Sequence, residues 1–543
     1  MRVFSFVPYA CDGILVSVEA DIRRAIPGID ITGLAAGAVR EARERVRAAF
    51  RNSNLKFPAD RVLINLAPAG IKKDGAGLDL PIALAIMAAA EMVPYPGDIM
   101  ALGELELSGA VRAGRGVLPA VSSGLSAGIR DFIVPAENAS EAALLEEGAI
   151  CGVNTLEEAM AALLCKMEQG CFPCRHRANG LPEELPAAGP LPYSAGSEGD
   201  FSDVNGQARY KRAMEIAMAG GHNLLVFGPP GIGKTMLARR AGSIMAPLTR
   251  DEAVEVTKLH SLAGQLLGNG GSDIQPTMLI KQPPFRAPHH SASMEGILGG
   301  GKSIRPGEIS LAHYGVLFLD EAPEFKVNTL QALREPLEDK IITISRAEGS
   351  VRLPAAFQLI MASNPCPCGR LGMNAKHRSA ACYCSAHEIE RYWKRFGGAL
   401  LDRIELRVVA QSGGIGKETN ETSAIIRKRV IKAVEIQRER FKPDNIRQNT
   451  GCVRAPRRNA DIGAGMIRSF CPLTAKAGPA LKQASEKLDF SGRACYSVLR
   501  VARTIADLDG KDTIDIEHIL EAVQHRRYGE DPYDVFAAKE DAQ

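Results

Sequence analysis

At 543 residues the chain is too long for one hydrophobic core, so about two to four domains are expected. Its hydrophobic fraction of 45% and charged fraction of 24% are ordinary for a soluble globular protein, and no apolar run reaches membrane length, which argues against a spanning helix. A net charge of +3 neither requires nor excludes a polyanionic partner, because local patches outweigh the sum.

The first residues, MRVFSFVPYACDGILVSVEA, alternate like a strand and lack the basic start, long apolar core and cleavage site of a signal peptide, so the expected compartment is the cytoplasm. Strands VFSFVPYA, GILVSVEAD and RVLINLAP then alternate with the basic helix AVREARERVRAAF and the alanine-rich helix LDLPIALAIMAAAEM, giving an α/β or α+β domain over 1–165. Residues 166–200 are rich in Pro, Gly, Ser and Ala without hydrophobic period and read as a linker. From 201 to 410, apolar runs such as NLLVFG, VLFLDE and FQLIMAS alternate with helical stretches, the pattern of a parallel sheet with crossover helices. Residues 411–543 carry helical periodicity in four segments and read as a helical domain.

The strand NLLVF runs into Gly228-Pro229-Pro230-Gly231-Ile232-Gly233-Lys234-Thr235, and Met236 opens a helix. This is the full G-x-x-x-x-G-K-[ST] pattern in its strand-loop-helix setting. Its backbone N–H groups would turn toward ATP phosphates, Lys234 would neutralise them and Thr235 would hold Mg²⁺. A second strand ends in Asp320 and Glu321. Asp320 is the expected Mg²⁺ partner and Glu321 the residue that polarises the attacking water. A buried strand followed by helix-capping acids is the alternative.

GPPGIGKT, VLFLDEAPEF, LIMASNP and ALLDRIEL resemble an AAA+ ATPase of the magnesium-chelatase-like branch. The resemblance implies that Asn364 is sensor 1, Arg403 an arginine finger given to a neighbouring subunit, and Arg493 sensor 2 on a helical lid. It implies a ring, a homo-hexamer. Taken alone, Arg403 would read as a surface ion-pair partner. Two inserts resemble those facing the central pore of that branch. Lys281, Arg286, Lys302, Arg305, Arg346 and Arg352, with His289 and His290, make single-stranded or branched DNA the expected polyanion. Each of these basic residues taken singly reads first as a solvated face and only as a group points to DNA, and the paired histidines read as hydrogen-bonded loop residues ahead of metal ligands.

Twelve cysteines in a cytosolic chain point to thiols or metal ligands. Cys366 and Cys368, then Cys382 and Cys384, form a candidate Cys₄ zinc knuckle expected to brace the subunit interface, with His377 as a substitute ligand and free buried thiols as the alternative. Cys171, Cys174 and His176 form a poorer metal candidate.

The stretch KKDGAGLDLP, Lys72 to Pro81, resembles the Lon-type protease domain with its ribosomal-S5-like fold. Gly77 stands where that family has its serine, and Leu118 or Ala120 where it has its lysine, so a protease reading lacks its dyad. Ser122, Ser123, Lys72 and Lys73 are misplaced for those roles. Asp79 is expected to cap the helix after it. Nearly the whole chain thus resembles the YifB/ComM family. The fold this implies is multidomain α/β: an S5/Lon-protease-like domain, an AAA+ P-loop parallel-sheet core with a Cys-rich insert at 364–385, and a C-terminal helical lid. The function it implies is an ATP-driven DNA translocase that promotes branch migration during natural transformation. The alternatives are a magnesium chelatase-type ATPase subunit and a Lon-like protease. The basic helix Arg40 to Arg51 makes the N-terminal domain an expected collar for assembly or DNA guidance.

Overall fold

The computed structural model describes residues 2–8, 13–34, 37–73, 76–94, 97–172, 199–266, 279–301, 304–346, 349–371, 382–410, 420–444 and 455–526. Strands β1 (Arg2–Val7), β2 (Ile14–Arg23), β3 (Gly28–Thr32), β4 (Arg61–Ala67), β5 (Ile99–Ala101), β8 (Asp131–Pro135) and β9 (Ala149–Val153) form one mixed sheet, in the order β3-β4-β2-β1-β5-β8-β9. β6 (Glu104–Leu105) and β7 (Val111–Arg112) make a small antiparallel pair beside it. Alternation decides the faces: Val62, Ile64 and Leu66 of β4 are buried while Arg61 is exposed. That inner face packs with Val16 and Val18 of β2 against the helices Gly37–Asn52 and Asp79–Ala89. Leu80 through Ala88 of the second helix are all buried, so it is a central helix, apolar on every side.

Several local expectations change here. Asp79 does not cap its helix. It is the first helical residue, and its carboxylate takes a two-pronged contact from Arg45 at 2.7 and 2.9 Å and the Leu105 N–H at 3.3 Å. The basic helix therefore uses Arg45 internally, while Arg40, Arg43, Arg47 and Arg51 stay exposed. Lys73 is buried with its ammonium on the carbonyls of Gly33, at 2.9 Å, and Pro68. The helix Leu156–Gln169, capped by Thr155 and closed by left-handed Gly170, runs past the expected linker start. Asp74 and Gly75 lie outside the described residues.

The second sheet is β11 (Phe285–Arg286), β14 (Val316–Leu319), β17 (Gln358–Ser363), β10 (Leu224–Phe227) and β18 (Leu406–Val409), in that order and all parallel. Its strands are continuous apolar runs because both faces are covered. Leu224, Val226, Phe318 and Ile360 face one core, and Leu225, Phe227, Leu317 and Met361 face the other. The C-terminal helices Ser423–Arg440, Gly492–Leu508 and Ile516–Arg526 share the first core through Val430, Val501, Ile505 and Ile519. Two antiparallel hairpins leave this sheet: β12 (Gly299–Gly300) with β13 (Arg305–Pro306), and β15 (Ile341–Arg346) with β16 (Gly349–Pro354). The N-terminal part meets the second part of the chain at the helix Arg250–Leu262. The Ser261 hydroxyl donates to buried Glu141, whose carboxyl burial pushes up, and the Gly116 N–H reaches the Ser261 carbonyl at 3.2 Å. Among the described residues no helix is long and apolar enough to cross a membrane.

Candidate active site

β10 lies between β17 and β18, so the loop leaving it opens over the C-terminal edge of the parallel sheet, where such folds bind ligands. Gly228 has no room for a side chain, since a Cβ would stand 2.6 Å from the Ala410 carbonyl oxygen. Gly231 and Gly233 take φ of +77° and +89°, a conformation that favours glycine. The loop delivers Lys234 to the start of the helix Lys234–Arg239, with Met236 exposed on its first turn.

The Lys234 ammonium sits on the carbonyls of Gly228 and Pro229, the latter at 2.8 Å, and on Asn364 Oδ1 at 3.1 Å. Burial lowers its pKa to about 8, with Asp320 and Glu321 opposing. The Thr235 hydroxyl donates to Asp320 Oδ2 at 2.8 Å, and the other Asp320 oxygen accepts the Glu321 N–H at 3.0 Å. Glu321 has a φ of +47°, and this left-handed turn leaves its carboxylate exposed at the loop's mouth. Asn364 directly follows β17, the strand between β10 and β14. Lys234, Thr235, Asp320, Glu321 and Asn364 therefore meet at one edge. They can bind a polyphosphate, hold a divalent cation through Thr235 and Asp320, and orient a water.

Two residues absent from the sequence reading also belong to this edge. Gln207 donates to the Ile232 carbonyl at 3.1 Å, and the Tyr210 hydroxyl donates to the Lys234 carbonyl at 3.2 Å. Full burial raises the Tyr210 pKa, so it stays a neutral donor. The only sequence signal was a polar turn opening the helix before the P-loop strand.

Arg403 and Arg493 are not brought to this edge. The Arg403 carbonyl accepts from Asn223, which precedes β10, so it lies at the strand's opposite end. Four residues at about 3.3 Å each separate the two edges by about 13 Å. There Arg403 pairs with Glu338 at 2.7 Å, and Arg493 pairs with Glu338 and, at 3.5 Å, Asp402. They line a cleft of about 610 Å³ that also takes Lys340, Arg457, Arg458 and Arg500. Arg493 thus does not reach over its own phosphate loop as a lid residue.

In the inserts, Arg286 is buried and bound to Glu308 at 2.7 and 2.8 Å, so it is a structural ion pair and not a pore cation. Lys281, Arg305 and Arg352 are exposed. His289 hydrogen-bonds the Ser291 hydroxyl at 2.8 Å and stacks on His290, as loop residues do. Lys302 lies outside the described residues, as does the side chain of Arg346.

Behind the loop, the Sγ atoms of Cys366, Cys368, Cys382 and Cys384 all lie within 4.8 Å of one another. Cys366 is 3.4 Å from Cys368 and 3.7 Å from Cys382, and Cys368 is 3.6 Å from Cys382. Burial pushes the Cys366 and Cys384 thiols up to about 11. Burial also opposes ionisation of Cys368, but hydrogen bonds from the Arg370 backbone and the neighbouring thiols prevail and lower it to about 6. Cys174, His176 and His377 lie outside the described residues.

Residues 200–415 match the family described as magnesium chelatase, subunit ChlI, and 420–526 match its C-terminal part. Residues 18–138 match subunit ChlI of Mg-chelatase. The chain is 38% identical over 537 residues to competence protein ComM of Haemophilus influenzae, covering 96% of this chain and 97% of that one. The chain belongs to the YifB/ComM family of magnesium-chelatase-like proteins. Another member of that family, uncharacterized protein YifB of Escherichia coli, is 39% identical over 518 residues, 94% of each chain. Outside the YifB/ComM family the likeness is smaller: the magnesium-chelatase 38 kDa subunit of Rhodobacter capsulatus is 24% identical over 177 residues, 30% of this chain and 50% of that one.

Proposed function

We propose that this chain is an ATP-driven motor that assembles as a homo-hexameric ring and moves DNA, promoting branch migration of joined strands. The observation that carries the reading is the meeting of Lys234, Thr235, Asp320, Glu321 and Asn364 at one sheet edge. ATP supplies the γ-phosphoryl bond and Mg²⁺ neutralises developing charge. Lys234 and the loop N–H groups bind the phosphates, Thr235 and Asp320 hold the cation, and Glu321 with Asn364 orients the water. Four thiols at tetrahedral spacing are suited to Zn²⁺.

Arg403 and Arg493 lie together about a strand's length from their own phosphate loop, which suits them to a neighbour's nucleotide. The cleft they line sets Lys340, Arg403, Arg457, Arg458, Arg493 and Arg500 beside the carboxylates of Glu338, Asp402, Glu405 and Asp461, an excess of cations that suits a phosphate group. DNA is supported by exposed Arg305 and Arg352 on the two hairpins and by exposed Arg40, Arg43, Arg47 and Arg51 on the N-terminal helix. The near full-length likeness to a competence protein supports a role in taking up or integrating DNA. We read 2–172 as the degenerate Lon-like collar and the last helices as a lid fixed to the sheet's core.

A chelatase subunit is the second reading, favoured by the family descriptions. Stimulation separates the two: junction DNA should raise ATP turnover, and a porphyrin with Mg²⁺ should not. Glu321→Gln should bind ATP without hydrolysing it, and Lys234→Ala should fail to bind; normal turnover in either variant defeats the site.

A further inference from the structure

We propose that Cys366, Cys368, Cys382 and Cys384 hold one Zn²⁺ ion whose purpose is to fix Asn364 and the phosphate loop in place from within the same subunit. The inference rests on the ATPase reading for its kinetic part and on geometry for its metal part.

The geometry is that of one ion. A tetrahedron with Zn–S of about 2.3 Å has edges of about 3.8 Å, and the sulfur separations here are 3.4, 3.6 and 3.7 Å. A polynuclear iron–sulfur cluster would spread its sulfurs over a larger span than the 4.8 Å that contains all four. Four protein ligands close the coordination shell, so the ion supplies rigidity and no open position for chemistry. Binding releases the thiol protons to solvent.

Its place gives the ion its task. Cys366 follows Asn364 by two residues, and Gly369 closes the turn at a φ of +76° with its Cα against the phosphate loop. A Cβ at Gly369 would stand 3.0 Å from Pro230 and 3.8 Å from the Asn364 side chain. Trp393 ties this turn to the sheet. Its indole N–H donates to the Pro365 carbonyl at 3.0 Å, and its ring meets Phe227, the last residue of β10, at 5.3 Å edge-on. Pulling the thiols together therefore sets the chain from Asn364 to Gly369, and with it the Asn364 oxygen on Lys234. The sequence reading expects a brace at the subunit interface; the brace proposed here acts on the chain's own loop.

Trp393 is the single tryptophan of the chain, so its emission reports on this brace. The test uses the full chain, measured as purified, after removal of metal with a thiol-directed mercurial and chelator followed by reduction, and after return of Zn²⁺. About one zinc per chain is expected by elemental analysis. Stripping should shift Trp393 emission to the red and lower kcat by at least about tenfold while nucleotide affinity changes about twofold or less, because misplacement of a positioning group strikes turnover first. Zn²⁺ should restore both. Cys382→Ser should reproduce the stripped state, and Cys495→Ser, a thiol outside the cluster, should leave all three readouts unchanged. A chain that neither carries nor takes up zinc overturns the site, and stoichiometric iron overturns the choice of ion. Stripping that leaves Trp393 emission and kcat unmoved overturns the brace. If the zinc-loaded chain hydrolyses no ATP, the ATPase reading falls, and metal content with Trp393 emission still decides the metal site.

Discussion

Nucleotide affinity should fall as pH rises through a range in which an exposed lysine keeps its charge. Burial holds the Lys234 ammonium down to about 8, against an ordinary value of 10.5. Bound phosphate favours the charged form, so the complex keeps a proton that the free protein sheds above pH 8. Affinity then follows the protonated fraction of the free protein, about 0.9 at pH 7, about 0.5 at pH 8 and about 0.1 at pH 9. The fall is roughly tenfold, or about 1.4 kcal/mol. An exposed lysine would lose less than about 5% of its charge over that span. Isothermal titration with MgADP measures this, because a phosphate whose second ionisation lies near about 6 changes little there. Repeating the titration at pH 8 in buffers of different ionisation enthalpy should find about half a proton taken up per nucleotide. Constant affinity from pH 7 to 9 without proton uptake would refute a buried Lys234 that meets the phosphates.

Three further outcomes follow from particular contacts. Arg403→Ala should bind nucleotide normally and lose about 10³-fold in hydrolysis, and mixing it with Lys234→Ala should restore activity, since some mixed interfaces pair an intact loop with an intact arginine; additive inactivity in the mixture argues against action across subunits. Arg286→Ala leaves the Glu308 carboxylate without its partner and should cost on the order of 3 kcal/mol in urea unfolding, whereas exposed Arg305→Ala should stay within about 0.5 kcal/mol and instead weaken DNA binding. Gly77→Ser should fold normally, because a side chain there meets nothing within 4 Å, yet cleave no peptide, because Leu118 and Ala120 are fully buried apolar groups where a lysine would be needed; peptidase activity in that variant would overturn the reading of the N-terminal part.

The phosphate loop was legible in the sequence because its requirements are local: glycines at fixed offsets, a lysine, a hydroxyl, and an apolar strand before them. The acidic strand was legible for the same reason, as a short apolar run ending in two acids. What the sequence hid were pairings across distance. Arg286 looked like a free cation because Glu308 reaches it only after the chain turns back at the β12–β13 hairpin. Asp79 looked like a helix cap because Arg45 comes from another helix. Arg493 could be placed on a helix but not on an edge of the sheet, since that depends on how the C-terminal helices pack into the core below β10. Gln207 and Tyr210 act through one hydrogen bond each to the phosphate loop, which leaves no pattern to read.

The central claim is that ATP hydrolysis at this site drives movement on DNA, and branch migration of a labelled four-way junction tests it most directly. The wild-type chain with Mg²⁺ and ATP should convert the junction to duplex products, while Glu321→Gln should bind the same junction and leave it unresolved. Wild-type protein that hydrolyses ATP yet never moves the junction, or a Glu321→Gln variant that moves it as fast, would contradict the account.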